Sequence, residues 1–232
     1  MLKLICLFSV TVWLSYSANA QWMLGAAGGA TDNFLHTNIN NRASTRLNSG
    51  IGFFAGIPVQ YTLTHWLAIQ ADPSVIQKNY TLDRTDSLSG AYTTYKNTYL
   101  QLPLSLHISY GKKKIKVFAT AGAYIAYWLQ AHLKGKAPDI FSVTNTSNQS
   151  EVFQLSPFNN QYVFDTERDN RFEWGWQAGI GVQYRYTNNR LLFITATAYQ
   201  SLTDQQKAYM INQVPQYNYT CLLSAGWLYA FK

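Results

Sequence analysis

The residues with the clearest chemical potential are His107 and Ser109, an H-x-S pair near the end of the stretch Leu100-Gln101-Leu102-Pro103-Leu104-Ser105-Leu106-His107-Ile108-Ser109-Tyr110. A serine hydroxyl becomes a nucleophile when a base adjoins it and a third group orients that base. Ester hydrolysis is the chemistry such a pair would do. The other histidines, His36, His65 and His132, share no metal-ligand spacing, so no metal and no cofactor is expected. A second set is made of amides and charges: Gln60, Gln70, Gln101, Gln130, Gln177 and Gln183, with Asp72, Lys78, Lys116, Glu173 and Arg185. Neutral amides can satisfy one another without a column of water. What either set can do depends on the elements that place it.

Those elements are strands. In Leu100–Tyr110 every even position through Ile108 is apolar and Tyr110 closes the row, so strict period two puts the leucines on one face and Gln101, Ser105, His107 and Ser109 on the other. Eight such stretches follow one another from residue 21: 21–30, 51–63, 66–80, 100–110, 115–130, 173–186, 191–202 and 216–231. Their connections alternate between long polar segments and tight turns, the turns falling near residues 63, 112 and 188. This describes an all-β chain, an eight-stranded antiparallel transmembrane β-barrel of outer-membrane type. Short turns then lie in the periplasm, the long loops near residues 40, 88, 150 and 208 lie outside the cell, and both termini are periplasmic. Pro58, Pro73 and Pro103 fall inside expected strands and predict local bulges, with Pro73 and Pro103 at similar heights.

Composition agrees. Aromatics make up 16% and charged residues only 12% of the 232 residues, as suits a lipid-facing surface with aromatic girdles. The longest nearly apolar run, Val117 to Leu129, falls short of the ~18 residues a membrane helix needs. Residues 1–20 read as a signal peptide: Lys3, an apolar run from Leu4 to Leu14, and the cleavage site Ala18-Asn19-Ala20. Residues 21–232 form one barrel domain. Cys6 leaves with the signal, and Cys221 alone can form no internal disulfide. The net charge of +7 is dispersed except at Lys112-Lys113-Lys114 and Lys116, a turn beside phospholipid headgroups. Outer-membrane lipids are the expected partners; nucleic acid is not.

Several segments resemble a known family. Tyr99-Leu100-Gln101-Leu102-Pro103-Leu104, then Val117-Phe118-Ala119-Thr120-Ala121-Gly122-Ala123-Tyr124, then Gly175 and Gly179-Ile180-Gly181-Val182, resemble the outer membrane protein beta-barrel domain proteins of Bacteroidota, often described as the PorT family. Tyr199-Gln200-Ser201-Leu202-Thr203-Asp204 is similar to that family's tyrosine–glycine–leucine–threonine–aspartate segment. The likeness runs through the mature chain in order and spacing. Where the family often carries an inward glutamate and arginine, this chain has Thr195 and Thr197, so that charge pair does not transfer. The resemblance implies an outer-membrane location; a secretion role is known for one member and is not implied for all.

An eight-stranded bore is filled by its own side chains. The barrel-interior polar residues Gln60, Gln70, Asp72, Gln101, His107, Lys116, Gln177, Gln183 and Arg185 therefore read as a plug, with the charges spread over height rather than in the rings of a channel. His107 and Ser109 point inward near the periplasmic end, away from the outer leaflet where a lipid A-modifying enzyme of this shape works. Activity is then expected at the exterior loops, above all 132–172, whose aromatics Phe141, Phe153, Phe158, Tyr162 and Phe164 are the candidate partner-binding residues. The leading reading is a non-enzymatic, monomeric structural or interaction protein, or an accessory of an envelope secretion system, meeting an envelope or extracellular protein or a glycan. A small channel or a lipid-modifying enzyme is the alternative. A soluble ligand-binding barrel would require the opposite burial, apolar inside and polar outside.

Overall fold

The computed structural model describes residues 21–38, 44–112, 114–144, 152–211 and 213–231; the expected signal peptide lies outside them. Among the described residues twelve strands form one sheet. They are β1 (Gln21–Thr37), β2 (Thr45–Gly56), β3 (Val59–Thr62), β4 (Leu67–Ala71), β5 (Ser74–Gln77), β6 (Asn79–Arg84), β7 (Tyr92–Lys112), β8 (Ile115–Thr144), β9 (Val152–Gln161), β10 (Phe172–Thr187), β11 (Arg190–Ser201) and β12 (Gln216–Ala230). Pairing is antiparallel and returns on itself. β1 pairs with β12, β12 with β11, β11 with β10, β10 with β8 and β8 with β7. β7 then pairs with β4, β5 and β6; these pair with β3 and β2, which pair back to β1.

The three tight turns stand where the sequence places them. One end of the barrel carries Thr62–Leu67, Lys112–Ile115 and Thr187–Arg190, with Gly111 taking the positive φ of 143° at the second. The other end carries the long connections. Here the structure departs from the sequence reading, because much of the expected loop is strand. β6 and β7 pair up to Asp83 and Tyr92, and β8 runs on to Thr144 with β9 as its antiparallel partner. β1 likewise continues past Ala30 to Thr37, paired with β12. On these extensions polar residues share the faces with Phe34, Leu35, Tyr80 and Leu82, so alternation gives little signal there; they are held by pairs such as Thr81 with Thr94 (3.0 Å between hydroxyls) and stacked Tyr80 and Tyr95 (4.6 Å).

Two of the four segments beyond the expected eight arise at prolines; the β5–β6 break falls at Lys78, and β9 is an added rim strand. Ile57-Pro58 separates β2 from β3, and Asp72-Pro73 separates β4 from β5. The bonds across this region persist: Ile57 N–H donates to the Pro73 carbonyl (3.0 Å), Asp72 N–H to the Pro103 carbonyl (3.2 Å) and Gly25 N–H to the Pro58 carbonyl (3.0 Å). The prolines thus lie in one band, and Pro73 and Pro103 are at matching height. Pro103 differs from expectation, since β7 passes through it unbroken. The irregularity of β7 comes higher, where a register shift between Thr98 and Tyr99 places an extra residue opposite it on β8. Trp128 keeps the inward phase of Tyr124 and Ala126; the phase changes just after it, so Gln130, expected inside, faces outward and Ala131 is buried. Arg171 holds the bulge, donating to the Trp128 carbonyl (2.9 Å) and the Leu129 carbonyl (3.1 Å).

Burial is inverted relative to a soluble protein. On β7, Leu100, Leu102, Leu104, Leu106, Ile108 and Tyr110 are exposed, while Gln101, Ser105, His107 and Ser109 are buried. β10 repeats the pattern, Trp174, Trp176, Ile180 and Val182 outside against Gln177 and Gln183 inside. This is the reverse of a soluble ligand-binding barrel.

The interior is a filled bore. Its upper layer centres on Lys78 and Glu173, a buried ion pair. The Tyr124 hydroxyl donates to Glu173 Oε1 (2.7 Å) and the Asn218 amide to Glu173 Oε2 (2.8 Å). Lys78 Nζ lies over the rings of Tyr99 (4.9 Å) and Tyr124 (4.7 Å). Gly175 makes this possible, because a Cβ there would stand 2.8 Å from Tyr124 Cε1. Asn33 donates to Asn218 (3.2 Å) and accepts from Thr220 (2.6 Å), extending the network to β1 and β12. Below it lie Phe54, Tyr199 and Leu222, then a cavity of about 40 Å³, then Phe118, Phe193, Leu191, Leu228 and Met23.

Two outcomes test this arrangement. In phospholipid vesicles, Leu104→Arg should lose about 2–4 kcal/mol in urea unfolding, because it places a charge in the apolar outer row, whereas Ser105→Ala should change little. Removing one partner of the buried pair by Glu173→Ala should cost about 3–5 kcal/mol, and the double replacement Lys78→Met with Glu173→Leu should recover much of it. Equal losses for the single and double variants would show that Lys78 and Glu173 do not act as a pair.

Candidate functional site

The candidate site is the long-loop mouth, built on the rim strands and two segments, 161–172 and 202–216. Asp165 and Asp169 shape the first segment: Asp169 N–H donates to the Asp165 carbonyl (2.8 Å) and Asp165 N–H to Asp169 Oδ2 (2.8 Å). Asp204 shapes the second, with its Oδ1 accepting from the backbone of Gln206 and of Gln216 (3.0 Å each). The two are joined by Asn170 N–H to the Gln205 carbonyl (3.0 Å), Lys207 N–H to the Arg168 carbonyl (2.8 Å), and the Asn170 amide to the Asp204 carbonyl (3.0 Å). Thr203 closes the base through its hydroxyl, which accepts from Trp174 N–H (3.0 Å). The Ser201–Asp204 segment noted in the sequence is therefore a loop anchor.

An aromatic stack carries the barrel core out to this mouth. Trp128 lies between Tyr99 (5.8 Å) and Tyr162 (5.9 Å), nearly parallel to both, with Phe164 edge-on at 4.9 Å. Arg171 covers Phe164 (4.3 Å) and Tyr127 (4.6 Å). The Tyr162 hydroxyl donates to Asp169 Oδ1 (2.9 Å) and accepts from Arg168, which also donates to Asp169 through Nε (3.1 Å). Burial, then the bond to Asp169, pushes the Tyr162 phenol up to about 12, so it stays a neutral donor at physiological pH. Beside this stack opens a cleft of about 220 Å³, bounded by Tyr80, Tyr95, Trp128, Tyr162, Arg168 and Gln216. The Trp128 indole N–H and the Thr37 hydroxyl, both on its wall, have no protein partner. The mouth thus offers aromatic edges, amides, a spare donor and a hydroxyl.

Of the five loop aromatics, Tyr162 and Phe164 come together, packed inward on Trp128 instead of displayed to solvent. Phe158 sits on β9 beside Gly135, apart from the cleft. The Phe141 and Phe153 side chains lie outside the described residues. Trp128, Tyr80, Tyr95 and the Arg168–Asp169 pair were missed by sequence reasoning. Trp128 keeps the inward phase of Tyr124 and Ala126, a signal that could have found it, and the others sit in segments where alternation is weak.

The interior set is placed as follows. Gln70, Asp72, Gln177, Gln183 and His107 line the small central cavity, where Gln70 donates to both Asp72 oxygens (2.8 and 3.0 Å). Gln60, Lys116 and Arg185 line the opposite, tight-turn mouth, and Gln101 is buried in the wall. The expected mutual amide network does not form. The Gln101 amide and Gln60 Oε1 have no protein partner, and the polar network that does form uses Asn33, Asn218 and Thr220 around Glu173. The interior charges are also not all spread out, since Lys78 and Glu173 pair. His107 stacks on Phe118 (4.4 Å), and neither ring nitrogen meets a serine or a carboxylate, so no nucleophile–base pair is assembled. Among the described residues no cluster of potential metal ligands occurs.

Comparison with solved structures agrees with this geometry. The chain is similar to OprG of Pseudomonas aeruginosa, with 9% identity over 93% of this chain and 97% of that one and a TM-score of 0.51. It is also similar to Neisserial surface protein A (13% identity, 90% and 97% covered, TM-score 0.43) and to AlkL (11%, 94% and 93%, TM-score 0.46). The OprG likeness shows the fold alone, an outer-membrane barrel. No curated protein matches the chain. A family model, "Outer membrane protein beta-barrel domain", matches residues 16–206. By that match the chain belongs to the outer membrane β-barrel domain family, whose members reside in the outer membrane.

Proposed function

We propose that this chain is a non-enzymatic outer-membrane protein that works by binding at its exterior mouth, as a structural or interaction protein or as an accessory of an envelope secretion system. The observation that carries the reading is the Lys78–Glu173 pair, buried with Tyr99, Tyr124 and Asn218 across the bore. A conducting path would need a continuous polar lumen; here the polar layer is consumed in its own bonds and apolar layers lie below it. The cleft above is the surface left for a partner, either an extracellular protein or a glycan.

In this reading eleven of the twelve strands run along eight staves, with β2–β3 forming one and β4–β5–β6 another, and β9 extends the rim beside β8. The protein is monomeric, surrounded by outer-membrane lipid and without contact to nucleic acid. The tight turns and both termini face the periplasm, following the rule for bacterial barrels. Assignment to the PorT-like branch of Bacteroidota rests on the segments from Tyr99 to Asp204. The role of Asp204 as a loop anchor gives a physical reason for an aspartate at the end of that motif.

Two measurements test the proposal. Purified protein in planar bilayers should give no discrete conductance and should release no fatty acid from phospholipid or lipid A; a stable open channel or turnover in either assay would sink the non-enzymatic, closed-bore reading. For sidedness, Val163→Cys in a Cys221→Ser background should react with an impermeant maleimide on intact cells, because Val163 is 84% exposed on the long-loop side. Lys112→Cys, on a tight turn, should stay unlabelled until the outer membrane is permeabilised.

A further inference from the structure

The tight-turn mouth is a dead-end cup of about 490 Å³. Its lining includes Lys116 and Arg185 and contains no aspartate or glutamate. The two cations are on paired strands: Lys116 stands opposite Gln183, and Arg185 lies two residues further along the same inward row. The register puts both head groups on one side of the strand pair, near enough for the Arg185 charge to act on Lys116. Lys116 Nζ donates to the His65 carbonyl (2.9 Å) and Arg185 Nη1 to the Asn188 carbonyl (3.3 Å). Both bonds go to neutral acceptors and leave several donors on each head group. Like charges held diagonally across a strand pair are unfavourable without a compensating anion.

Other side chains around the same space add to this pair of cations. Gln60 and His107, both more than nine-tenths buried, sit in the cup wall, His107 beside Gln183. Ser109, Thr62, Thr64 and Gln183 add hydroxyls and an amide around the same space. Phe118, Leu191 and Met23 pack above it, and the Lys78–Glu173 layer closes the bore further up. A cationic vestibule that leads nowhere cannot serve conduction. It can serve binding.

We propose that this cup binds the phosphate group of a phosphomonoester. A phosphomonoester carries close to two negative charges near neutral pH and three acceptor oxygens, which matches an ammonium and a guanidinium side by side with hydroxyl donors around them. A carboxylate would neutralise only one of the two cations. The Arg185 guanidinium can take two of the oxygens in its planar fork, and Lys116 acts as the point charge on the third. The space beyond the phosphate accommodates the rest of the ester. The same phosphate group can come from a soluble ester or from a lipid headgroup reaching round the rim. Because the cup's lining residues face inward, away from the lipid-facing row, the soluble source is favoured.

The test uses the full chain in a zwitterionic detergent at low salt, with inorganic phosphate as the probe, followed by titration calorimetry and by ³¹P line width. Saturable binding at one equivalent is expected. It should weaken at least ~10-fold in Lys116→Gln and in Arg185→Gln and stay unchanged in Lys134→Gln at the other rim, while chloride at equal ionic strength should not displace it. Heat-modifiable gel migration shows whether each variant is folded. Repeating the titration in nanodiscs separates the sources. Equal binding in phosphatidylcholine and phosphatidic acid discs supports a soluble ester, and loss only in phosphatidic acid discs supports the headgroup phosphate. Absence of saturable binding in every setting, binding indifferent to both substitutions, or displacement by chloride alone would overturn the proposal.

Discussion

No water in the hydrocarbon of a membrane can satisfy a backbone N–H or C=O, so a sheet that crosses it must close on itself. Every other feature of this chain answers to that requirement. It is why β1 meets β12 over the whole length from Met23 to Thr37, although the sequence of β1 is glycine-rich and poorly alternating. It also explains how three prolines are tolerated. Each removes a donor, yet their carbonyls accept from Gly25, Asp72 and Ile57, so the band of prolines interrupts strand geometry without opening an edge.

Closure with this few staves leaves a bore the width of its own side chains, and that sets the second constraint. Polar side chains turned inward by alternation must find partners in a space that holds little water. At the upper layer they do so through a charged centre. Glu173 accepts from Lys78, Tyr124 and Asn218, so three strands and the β5–β6 junction converge on one carboxylate. Aromatic rings complete the layer, because Tyr99 and Tyr124 shield the ammonium while Trp128 continues the stack toward the mouth. The exterior cleft is thus mounted on the part of the core with the densest network, which fixes Trp128, Tyr162 and Asp169 in place without a ligand.

Alternation made much of this legible in advance. The lipid row from Leu100 to Tyr110, the three tight turns and the inward direction of Gln177, Gln183 and His107 follow from period two alone. What alternation cannot carry is pairing between distant strands. Lys78 and Glu173 could both be assigned to the interior, but their contact depends on barrel shear, which no local pattern encodes. A single bulge was enough to reverse the position assigned to Gln130. Above the membrane level both faces of a strand are wet, so the extended hairpins of β6–β7 and β8–β9 resemble loops in sequence. Asn33 could have been found, because it keeps the phase of Thr31 on β1; the glycine-rich start of that strand hid the continuation.

The filled bore also changes how the two ends relate. In an open barrel a charge at one mouth acts on whatever passes to the other, and the lining residues form one functional unit. Here apolar and ion-paired layers separate the mouths, so their chemistries are free to differ: aromatic and amide groups with a self-neutralised Arg168–Asp169 pair at one end, uncompensated cations at the other. Coupling between them would require the Lys78–Glu173 layer to adopt a second arrangement. The bonds that Glu173 makes to Lys78, Tyr124 and Asn218 oppose that, since moving any one of them leaves a buried charge or hydroxyl unpaired. A barrel built this way has two mouths of different chemistry, joined by a core that keeps them apart.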